Sequence, residues 1–334
     1  MNVLLTCVGL RVDVVQAFRD AVARAGGGLV VGTDSSRLAP ALPFCDIAVE
    51  APRADDPGYA DHLVATAEAH GCAMALPCSE WDLVLLADLA PRLAAVGCTA
   101  FIPGPEATRR CVDKLEMARF LESAGLDSPR TFDPADLPGD LRYPVLVKMR
   151  EGRGSEGIFR CADRAELDFF LGYTTLPSMV QECCTGTEFS IDVLCDLDGR
   201  CLDAIPRSMI QSKGGEQIKG TTIEDPALVE VGRAVAEAIG LRGPGTVQCF
   251  REAADRHEVT DVNPRIGGAF PLPLAAGGDY PHRMLRMAAG ERLEPRLGEY
   301  RRGVTLSRFY HQVVFNEEGM ADLPRLSLAD GDDA

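Results

Sequence analysis

The stretch Val259-Thr-Asp-Val-Asn-Pro-Arg-Ile-Gly-Gly268 decides how this chain is interpreted. Asp261 and Asn263 are two residues apart, so on a strand their side chains share a face. Pro264 ends the strand because it has no N–H to give to a ladder, and Arg265 follows in the turn. A carboxylate and an amide oxygen on one face, with a guanidinium beside them, can hold Mg²⁺ and a phosphoryl group together.

The segment just before this stretch predicts the other strand of a hairpin. A symmetric turn would place Gln248 opposite Asp261 and Arg251 opposite Glu258, and opposed residues share a face. With Asn263 on that face, the hairpin would carry an oxygen-rich cluster. A register shifted by one residue would separate its members. A polar edge hairpin with a solvated Asp and Asn would show the same sequence pattern.

Composition limits the class of protein. The 334 residues are 46% apolar and 25% charged, which is ordinary for a globular protein with two or three domains. The net charge of −16 argues against binding to nucleic acid or to an anionic membrane. The 12 cysteines show no metal-binding spacing, and the first residues do not resemble a signal peptide. We therefore expect a cytoplasmic protein with reduced cysteines.

The first hundred residues alternate apolar runs with helical spacing. Val3–Val8 is typical of a buried parallel strand, and the alternation continues to Ile102, which predicts a doubly wound α/β domain. The turn after the first strand has one glycine, so the dinucleotide fingerprint is missing, and Asp34 is weak evidence for a ribose contact. We interpret this domain as a scaffold with Arg11 or Glu80 at the rim of a substrate site.

A second informative stretch lies in the middle of the chain. Residues 106–124 are predicted to form one helix that carries Asp113-Lys114, and a later apolar strand ends at Lys148. The loop that follows contains Gly152, Gly154, Ser155 and Gly157. Its glycines would let backbone N–H groups approach a phosphate beside the lysine, although a flexible hairpin loop has the same composition.

Three later segments complete the pattern. Residues 188–194 alternate, with Glu188, Ser190 and Asp192 predicted on one strand face. Gln211–Thr222 is polar and glycine-bearing, which predicts a mobile loop. Phe270–Pro273 is predicted to line the space in front of the metal cluster. Together with Arg11 and Glu80, the last two segments are the candidates for substrate selectivity.

In this order the motifs resemble the ATP-grasp superfamily, in the branch similar to the halves of the carbamoyl-phosphate synthetase large subunit. The resemblance extends to about residue 290. It implies an ATP-grasp fold, with α/β and α+β parts, behind an N-terminal doubly wound pre-ATP-grasp domain. The matching motifs are Asp113-Lys114, Pro144–Lys148 with Gly152–Ser155, Gln181-Glu182 with Glu188, Val247-Gln248, and Asp261–Arg265.

The resemblance also implies site residues. ATP and Mg²⁺ (or Mn²⁺) are the expected cofactors, and Asp261 departs from the glutamate usual in the family. The implied metal ligands are Gln248, Asp261 and Asn263, and the implied phosphoryl-holding residues are Arg265 and Arg207. The implied nucleotide contacts are Lys114, Lys148, Gly152, Gly154, Ser155 and Gly157 at the phosphates, the backbone of Glu182, Cys183 and Cys184 at the adenine, and Glu188 at the ribose.

The function implied by the resemblance is ATP-dependent ligation. A small-molecule carboxylate would be phosphorylated to an acyl phosphate, and an amine would attack it to give an amide, ADP and phosphate. A non-amine acceptor, a carboxylation and a nucleotide-binding regulator without catalysis stay open, as does a homodimer. The implied divisions are a pre-ATP-grasp domain at 1–103, a lid subdomain at 104–178, a metal-bearing subdomain at 179–320 and a disordered tail at 321–334.

Overall fold

A computed structural model describes residues 1–152, 157–213, 216–309, 311–316 and 319–320 of the protein. Gly154 and Ser155 of the predicted phosphate loop lie outside the described residues, as do Gly214, Gly215 and the tail predicted at 321–334. Within the described ranges, no helix combines the length and the apolar character that crossing a membrane would require.

The first hundred residues form the predicted doubly wound arrangement. The elements are β1 (Asn2–Thr6), α1 (Val12–Arg24), β2 (Val30–Asp34), β3 (Ile47–Glu50), α2 (Tyr59–Ala69), β4 (Cys72–Pro77), α3 (Leu83–Ala95) and β5 (Thr99–Ala100). The strands are parallel in the order β3-β2-β1-β4-β5. Val3 and Leu5 pack toward α1, whereas Leu4 packs toward α2 and α3. Burial on both faces explains why β1 is apolar throughout.

The segment after this sheet forms two helices, so the prediction of one helix over residues 106–124 is wrong. α4 covers Pro105–Val112 and α5 covers Lys114–Ser123. Asp113 between them has an extended backbone, and its carboxylate accepts hydrogen bonds from two N–H groups in the first turn of α5. An aspartate in this position begins a new helix as its N-cap. The spacing of apolar residues does not reveal such a break.

A small antiparallel sheet follows, in the order β6-β9-β7-β8. Its elements are β6 (Thr131–Phe132), β7 (Val145–Met149), β8 (Phe159–Cys161), α6 (Arg164–Tyr173) and β9 (Ser178–Glu182). Val145 and Val147 of β7, Val180 of β9 and Leu167 of α6 share a core. The alternate residue Lys148 therefore points to the other face of β7.

The third sheet is the largest and carries the polar cluster. Its strands are antiparallel in the order β14-β13-β10-β11-β12-β15. The elements of this part are β10 (Thr187–Cys195), β11 (Cys201–Lys213), β12 (Glu216–Thr222), α7 (Pro226–Ile239), β13 (Gly243–Ala253), β14 (Arg256–Asn263), α8 (Pro271–Ala275), α9 (Tyr280–Ala288), β15 (Thr305–Ser307), β16 (Phe315–Asn316) and β17 (Gly319–Met320). Phe189, Ile191 and Val193 pack with α7, which confirms the predicted alternation and leaves Glu188, Ser190 and Asp192 on the opposite face.

The prediction of a mobile loop over Gln211–Thr222 is wrong for its described residues. They belong to the hairpin of β11 and β12, in which Arg207 pairs with Thr222 and Gln211 with Lys219. The strands were not recognised because one face of this hairpin borders a cleft and is polar. The usual apolar alternation is therefore weak.

The predicted metal hairpin is present, with one local difference in register. Gln248 lies opposite Asp261, as predicted, but Arg251 pairs with His257 rather than with Glu258. Irregularities after Gln248 and after Arg251 shift the pairing between them by one residue. A bulge of this kind depends on packing rather than on a local sequence signal.

A shared core joins the first sheet to the largest one. Phe18 of α1 lies in the same buried cluster as Ile205 of β11 and Met284 of α9. Phe270, predicted to face the metal cluster, is 2% exposed and belongs to this core. The cleft is lined by Ala269 just before it, so the prediction for Phe270–Pro273 is wrong. The segment does not line the cleft because Phe270 and Leu272 bury their apolar side chains in the protein interior.

Asp203 of β11 is an acid buried beneath α9. Its Oδ2 accepts a hydrogen bond from Arg283 Nη1 at 3.1 Å, and its Oδ1 has no hydrogen-bond partner among the described residues. Burial raises the pKa of Asp203 to about 7, against the opposing effect of Arg283. The Asp203 carboxyl group is therefore protonated more readily in the folded protein than in the unfolded chain.

This buried acid predicts a pH dependence of stability. Because the folded-state pKa lies above the ordinary value of 3.8, the stabilising contribution is full below about pH 4 and is lost as the pH rises through 7. Urea unfolding of the wild type and of Asp203→Asn at pH 5 and pH 8 measures it. The free energy of unfolding of the wild type should fall, relative to the variant, by on the order of 2–4 kcal/mol. Parallel pH profiles for the two proteins would contradict this expectation.

Candidate active site

One face of the largest sheet carries a row of polar residues that crosses its strands. The strand pairing aligns Asp261 of β14 with Gln248 of β13, Gln248 with Ser190 of β10, Ser190 with Arg207 of β11, and Arg207 with Thr222 of β12. Directly opposed residues point to the same side of a sheet. Because α7 covers the other face, the hydrogen-bond register itself brings the row to the open side.

The structure brings the three predicted metal ligands together at one end of this row. Asn263 Nδ2 lies 3.4 Å from Gln248 Oε1 and 3.4 Å from Asp261 Oδ2. A carboxylate and two side-chain amides are hard oxygen donors of the kind that Mg²⁺ prefers. Ligation by all three requires the Asn263 amide to turn its oxygen toward the other two. In donor type and position, this trio fits a divalent cation.

Arg207, predicted to hold a phosphoryl group, is buried and fixed by an acid. Its Nε donates to Asp192 Oδ2 at 2.7 Å, and both side chains are at most 5% exposed. Thr246 Oγ1 donates to the other carboxylate oxygen of Asp192 at 3.0 Å. A buried ion pair held this way keeps the guanidinium in one place beside the cleft.

Arg265 belongs to a turn that is tied to the first sheet. Its guanidinium pairs with Glu80 in the loop after β4, and Arg11 in the loop after β1 donates to the carbonyl oxygens of Ile266 and Gly267 at 3.1 and 3.0 Å. A Cβ on Gly267 would lie 2.4 Å from Thr246 Oγ1, so this turn requires glycine. Arg11 and Glu80 were predicted at a substrate rim, and both contact this turn.

Lys148, predicted at the phosphates, lies close to the Asp261 carboxylate of the trio. Its Nζ donates to Gln181 Oε1 at 2.7 Å, and Gln181 in turn donates to Thr131 Oγ1 at 2.9 Å. Burial lowers the pKa of Lys148, whereas the nearby Asp261 carboxylate acts in the opposite direction. The pair Gln181-Glu182 belongs to the motifs of the resemblance, but the sequence assigns no role to the Gln181 side chain.

Lys114 stands at the start of the predicted phosphate loop. Its Nζ donates to the carbonyl oxygen of Gly152 at 2.7 Å, and its backbone N–H donates to that of Arg150 at 3.0 Å. Arg150 also pairs with Asp113. Gly157, where the described chain resumes, has a φ of +65°, a conformation that favours glycine. Lys114 thus contacts the first residue of the predicted loop, and Lys148 lies four residues before that residue in the chain.

The segment predicted to bind adenine is partly engaged in the fold. The Glu182 side chain accepts a hydrogen bond from Arg130 at 2.8 Å. The Glu182 and Cys183 N–H groups donate to the carbonyl oxygens of Arg130 and Pro144. An adenine would therefore bind other main-chain groups between Glu182 and Cys184. Glu188, predicted at the ribose, is partly buried, and burial raises its pKa against the effect of Arg207 and Lys148.

A cleft of about 830 Å³ separates the first sheet from the polar row. The loops after β1 and β4 form one wall, at the point where the strand order of a doubly wound sheet reverses and ligands commonly bind. The other wall contains Ser190, Arg207, Gln217, Gln248 and Asn263. Lys148 and Glu188 do not line it. The trio therefore stands between this cleft and the region predicted to bind the nucleotide.

Comparison with known proteins matches two parts of the chain to family models. Residues 174–309 match the family model described as ATP-grasp in the biosynthetic pathway with Ter operon. Residues 3–101 match the model of the PylC-like N-terminal domain. A 210-residue segment is 28% identical to the carbamoyl phosphate synthase large chain of Kocuria rhizophila and 27% identical to that of Paenarthrobacter aurescens. The segment covers 57% of this chain and 19% of each of those proteins, so the chain matches about a fifth of their length.

Solved structures with low sequence identity share the fold. Biotin carboxylase from Campylobacter jejuni aligns with a TM-score of 0.72 at 15% identity, over 90% of this chain and 73% of that one. The L-amino acid ligase from Bacillus licheniformis aligns with a TM-score of 0.69 at 20% identity, over 88% and 75%. N5-carboxyaminoimidazole ribonucleotide synthetase from Thermotoga maritima aligns with a TM-score of 0.66 at 16% identity, over 88% and 77%.

The oxygen trio predicts the effect of removing its members. Asp261→Ala and Asn263→Ala should each lower Mg²⁺-dependent ADP formation at least ~100-fold, because charge on the phosphates is no longer neutralised. Both side chains lie in a polar cluster rather than in a core, so the thermal midpoint should change little. Rate measurements and thermal unfolding check the two expectations. ADP formation at the wild-type rate in either variant would remove that residue from the site.

The partly buried Lys148 predicts a binding defect. Lys148→Ala should raise the Kd for ATP at least ~10-fold, since a charge-assisted contact to phosphate is lost. Arg164→Ala serves as the control, because it removes an exposed cation from α6. Calorimetric titration of both variants with ATP measures the difference. An ATP affinity that is unchanged by Lys148→Ala, or equally reduced by Arg164→Ala, would argue against a phosphate contact.

Proposed function

We propose that this chain, which belongs to the ATP-grasp superfamily and carries a PylC-like N-terminal domain, is an ATP-dependent ligase that joins a small-molecule carboxylate to an amine. The observation that carries the proposal is the polar row from Asp261 to Arg207, which borders a cleft large enough for small substrates. Enzymes of this superfamily use ATP and Mg²⁺. The divisions at residues 103/104 and 178/179 and a homodimeric assembly stay predictions.

The first chemical step is phosphoryl transfer to the carboxylate. A carboxylate oxygen attacks the γ-phosphorus of ATP, the bond to the bridging oxygen breaks, and ADP leaves with the electron pair. Mg²⁺ held by Gln248, Asp261 and Asn263 would neutralise the phosphate oxygens. Lys148 approaches from the nucleotide side, and Arg207 and Arg265 from the cleft. These cations stabilise the charge that the transferred group carries in the transition state.

The second step is attack of the amine on the acyl phosphate. The amine nitrogen bonds to the acyl carbon, the carbon–oxygen bond to phosphate breaks, and the proton lost from nitrogen leaves with phosphate or solvent. No protein nucleophile takes part. Consistent with that, burial raises the pKa of the Cys7 thiol in the cleft wall to about 12. The Cys184 thiol also has a raised pKa, because of burial and Glu258.

Arg265 would exchange partners in the course of this reaction. Glu80 neutralises its guanidinium in the structure described. An anionic substrate or acyl phosphate would compete with Glu80 for the same group. Arg11 meanwhile holds the carbonyl groups of the turn, so the turn can keep its place while the side chain changes partner. In this proposal Arg11 is a positioning residue.

Release of ADP tests the proposal directly. The full-length chain is incubated with ATP and Mg²⁺ over a matrix of small carboxylates and amines, and products are weighed by mass spectrometry. We expect ADP release that requires both partners, and a product mass equal to acid plus amine minus water. With an ¹⁸O-labelled carboxylate, one label should appear in phosphate. ADP release that needs only bicarbonate, or an alcohol in place of the amine, would contradict the amine-ligase assignment, and ATP binding without turnover would favour a regulator.

A further inference from the structure

The wall of the cleft that belongs to the first sheet exposes two large apolar side chains. Leu10, in the loop after β1, is 77% exposed, and Trp81, in the loop after β4, is 62% exposed. Pro52 and Ala54, in the loop after β3, also line this wall and are partly exposed. Single apolar residues are common on convex protein surfaces. In a concave site, exposed aromatic and aliphatic side chains are the usual lining against which a ligand packs.

Trp81 is anchored by the residues on both sides of it, while its own side chain stays exposed. Glu80 before it pairs with Arg265. Asp82 after it is buried and accepts a hydrogen bond from the Tyr59 hydroxyl at 2.8 Å. These neighbours fix the position of the Trp81 backbone, so less ordering is required when a ligand covers the indole ring. The exposed ring is therefore a prepared binding surface.

Leu10 is tied to the same part of the cleft as Trp81. Arg11, the residue after Leu10, donates to two carbonyl groups of the turn that carries Arg265. Each of the two exposed apolar residues is thus the chain neighbour of a residue that contacts this turn. Both residues and Arg265 line one cleft of about 830 Å³. A small molecule that contacts Arg265 can therefore extend to the apolar surface.

The three acids of the described cleft lining are all engaged by the protein. Asp55 accepts a hydrogen bond from Arg53 at 3.0 Å. Glu80 pairs with Arg265. Both carboxylate oxygens of Asp34 accept hydrogen bonds from backbone N–H groups, at 2.8 and 2.9 Å. The same lining contains four arginines, for which a ligand carboxylate can compete. The charged groups of the cleft therefore accommodate an acid more readily than a cation.

We propose that the cleft selects a carboxylate substrate with a large apolar side group, and that Trp81 is the specificity-determining residue. The inference rests on the proposed function, since it names the substrate class of that ligase. The carboxylate faces Arg265, and the aromatic or aliphatic group lies against the indole ring and Leu10. Covering these surfaces removes apolar area from water, which favours binding. Trp81 contacts no reacting atom, so it determines which acid binds and takes no part in the chemical steps.

A matched set of probes tests this site by binding alone. Propionate, hydrocinnamate and succinate carry a hydrogen, a phenyl ring or a second carboxylate at the same carbon, and titrations followed by the NMR signals of the probe give each Kd. The wild type should bind hydrocinnamate at least ~10-fold more tightly than propionate, because the ring buries more apolar area than one methylene. Succinate should not share this gain. Hydrocinnamamide, which lacks the charge, should bind about 10-fold more weakly than hydrocinnamate, since the contact of a carboxylate with arginine is lost.

Fluorescence locates the bound ring. Trp81 is the one tryptophan of the chain, so the tryptophan emission reports on this wall of the cleft alone. A phenyl ring that covers the indole removes it from water. The emission maximum should therefore shift to shorter wavelength with hydrocinnamate, and by less with propionate at equal occupancy.

Three variants separate the indole ring from other exposed apolar surface. Trp81→Ala should reduce the preference for hydrocinnamate over propionate to about 3-fold or less, because only the contact with Leu10 remains. Trp81→Phe keeps an aromatic face and should keep most of the preference. Phe169→Ala is the matched control and should leave the preference unchanged. Phe169 is likewise aromatic and 63% exposed, but it lies on α6, outside the cleft lining.

The outcomes separate this inference from the ligase proposal. A preference for hydrocinnamate that is lost in Trp81→Ala and kept in Phe169→Ala supports the site even if the screen of acids and amines finds no turnover. A wild type that binds the three carboxylates equally, prefers succinate or binds no probe overturns the site even if ligation is found. A preference that survives in Trp81→Ala, or an emission maximum that does not shift, overturns the role of Trp81.

Hydrocinnamamide separates the acid from other ligands that carry a ring. If the amide binds as tightly as hydrocinnamate, the apolar surface does not serve the carboxylate substrate, and the inference is overturned. The wild-type series of four probes decides between these results even if Trp81→Ala does not fold.

Discussion

The hydrogen-bond register of the largest sheet is the constraint on which this structure depends. Gln248 lies opposite both Asp261 and Ser190, and Ser190 lies opposite Arg207. Burial of Ile191 and Val193 against α7 fixes which side of each strand faces inward. A shift by one residue would turn the whole polar row into that core. The same apolar packing that stabilises the sheet therefore assembles the oxygen trio of Gln248, Asp261 and Asn263 and the buried Arg207 on its open side.

Contacts between the first sheet and this polar face turn an open surface into a cleft. Arg11 and Glu80, from two loops of the first sheet, both hold the turn that carries Arg265. The core that contains Phe18 and Ile205 fixes the distance between the two sheets. The first sheet is thus more than a scaffold. It supplies one wall of the cleft and the partner of a proposed catalytic side chain.

Features set by local chemistry could be predicted from the sequence, and features set by packing could not. The alternation from Glu188 to Asp192 and the placement of Gln248 opposite Asp261 were predictable, because strand geometry has a fixed period of two. The break at Asp113 was missed because one capping residue interrupts otherwise continuous helical spacing. The Gln181-Glu182 pair could be matched as a motif, but the role of the Gln181 side chain depends on what its amide contacts across strands, and the sequence does not give those contacts.

The central claim is that Gln248, Asp261 and Asn263 hold a divalent cation between a nucleotide and the cleft. A crystal structure with Mn²⁺ and a non-hydrolysable ATP analogue tests it most directly, because the anomalous signal of manganese locates the ion independently of the phosphates. The account predicts manganese in direct contact with oxygens of Asp261 and Asn263, with the terminal phosphate between Lys148 and Arg265. Manganese bound away from this trio would contradict the account. So would a nucleotide bound to the first sheet at the loop after β1, where the Gly9 N–H donates to Asp34.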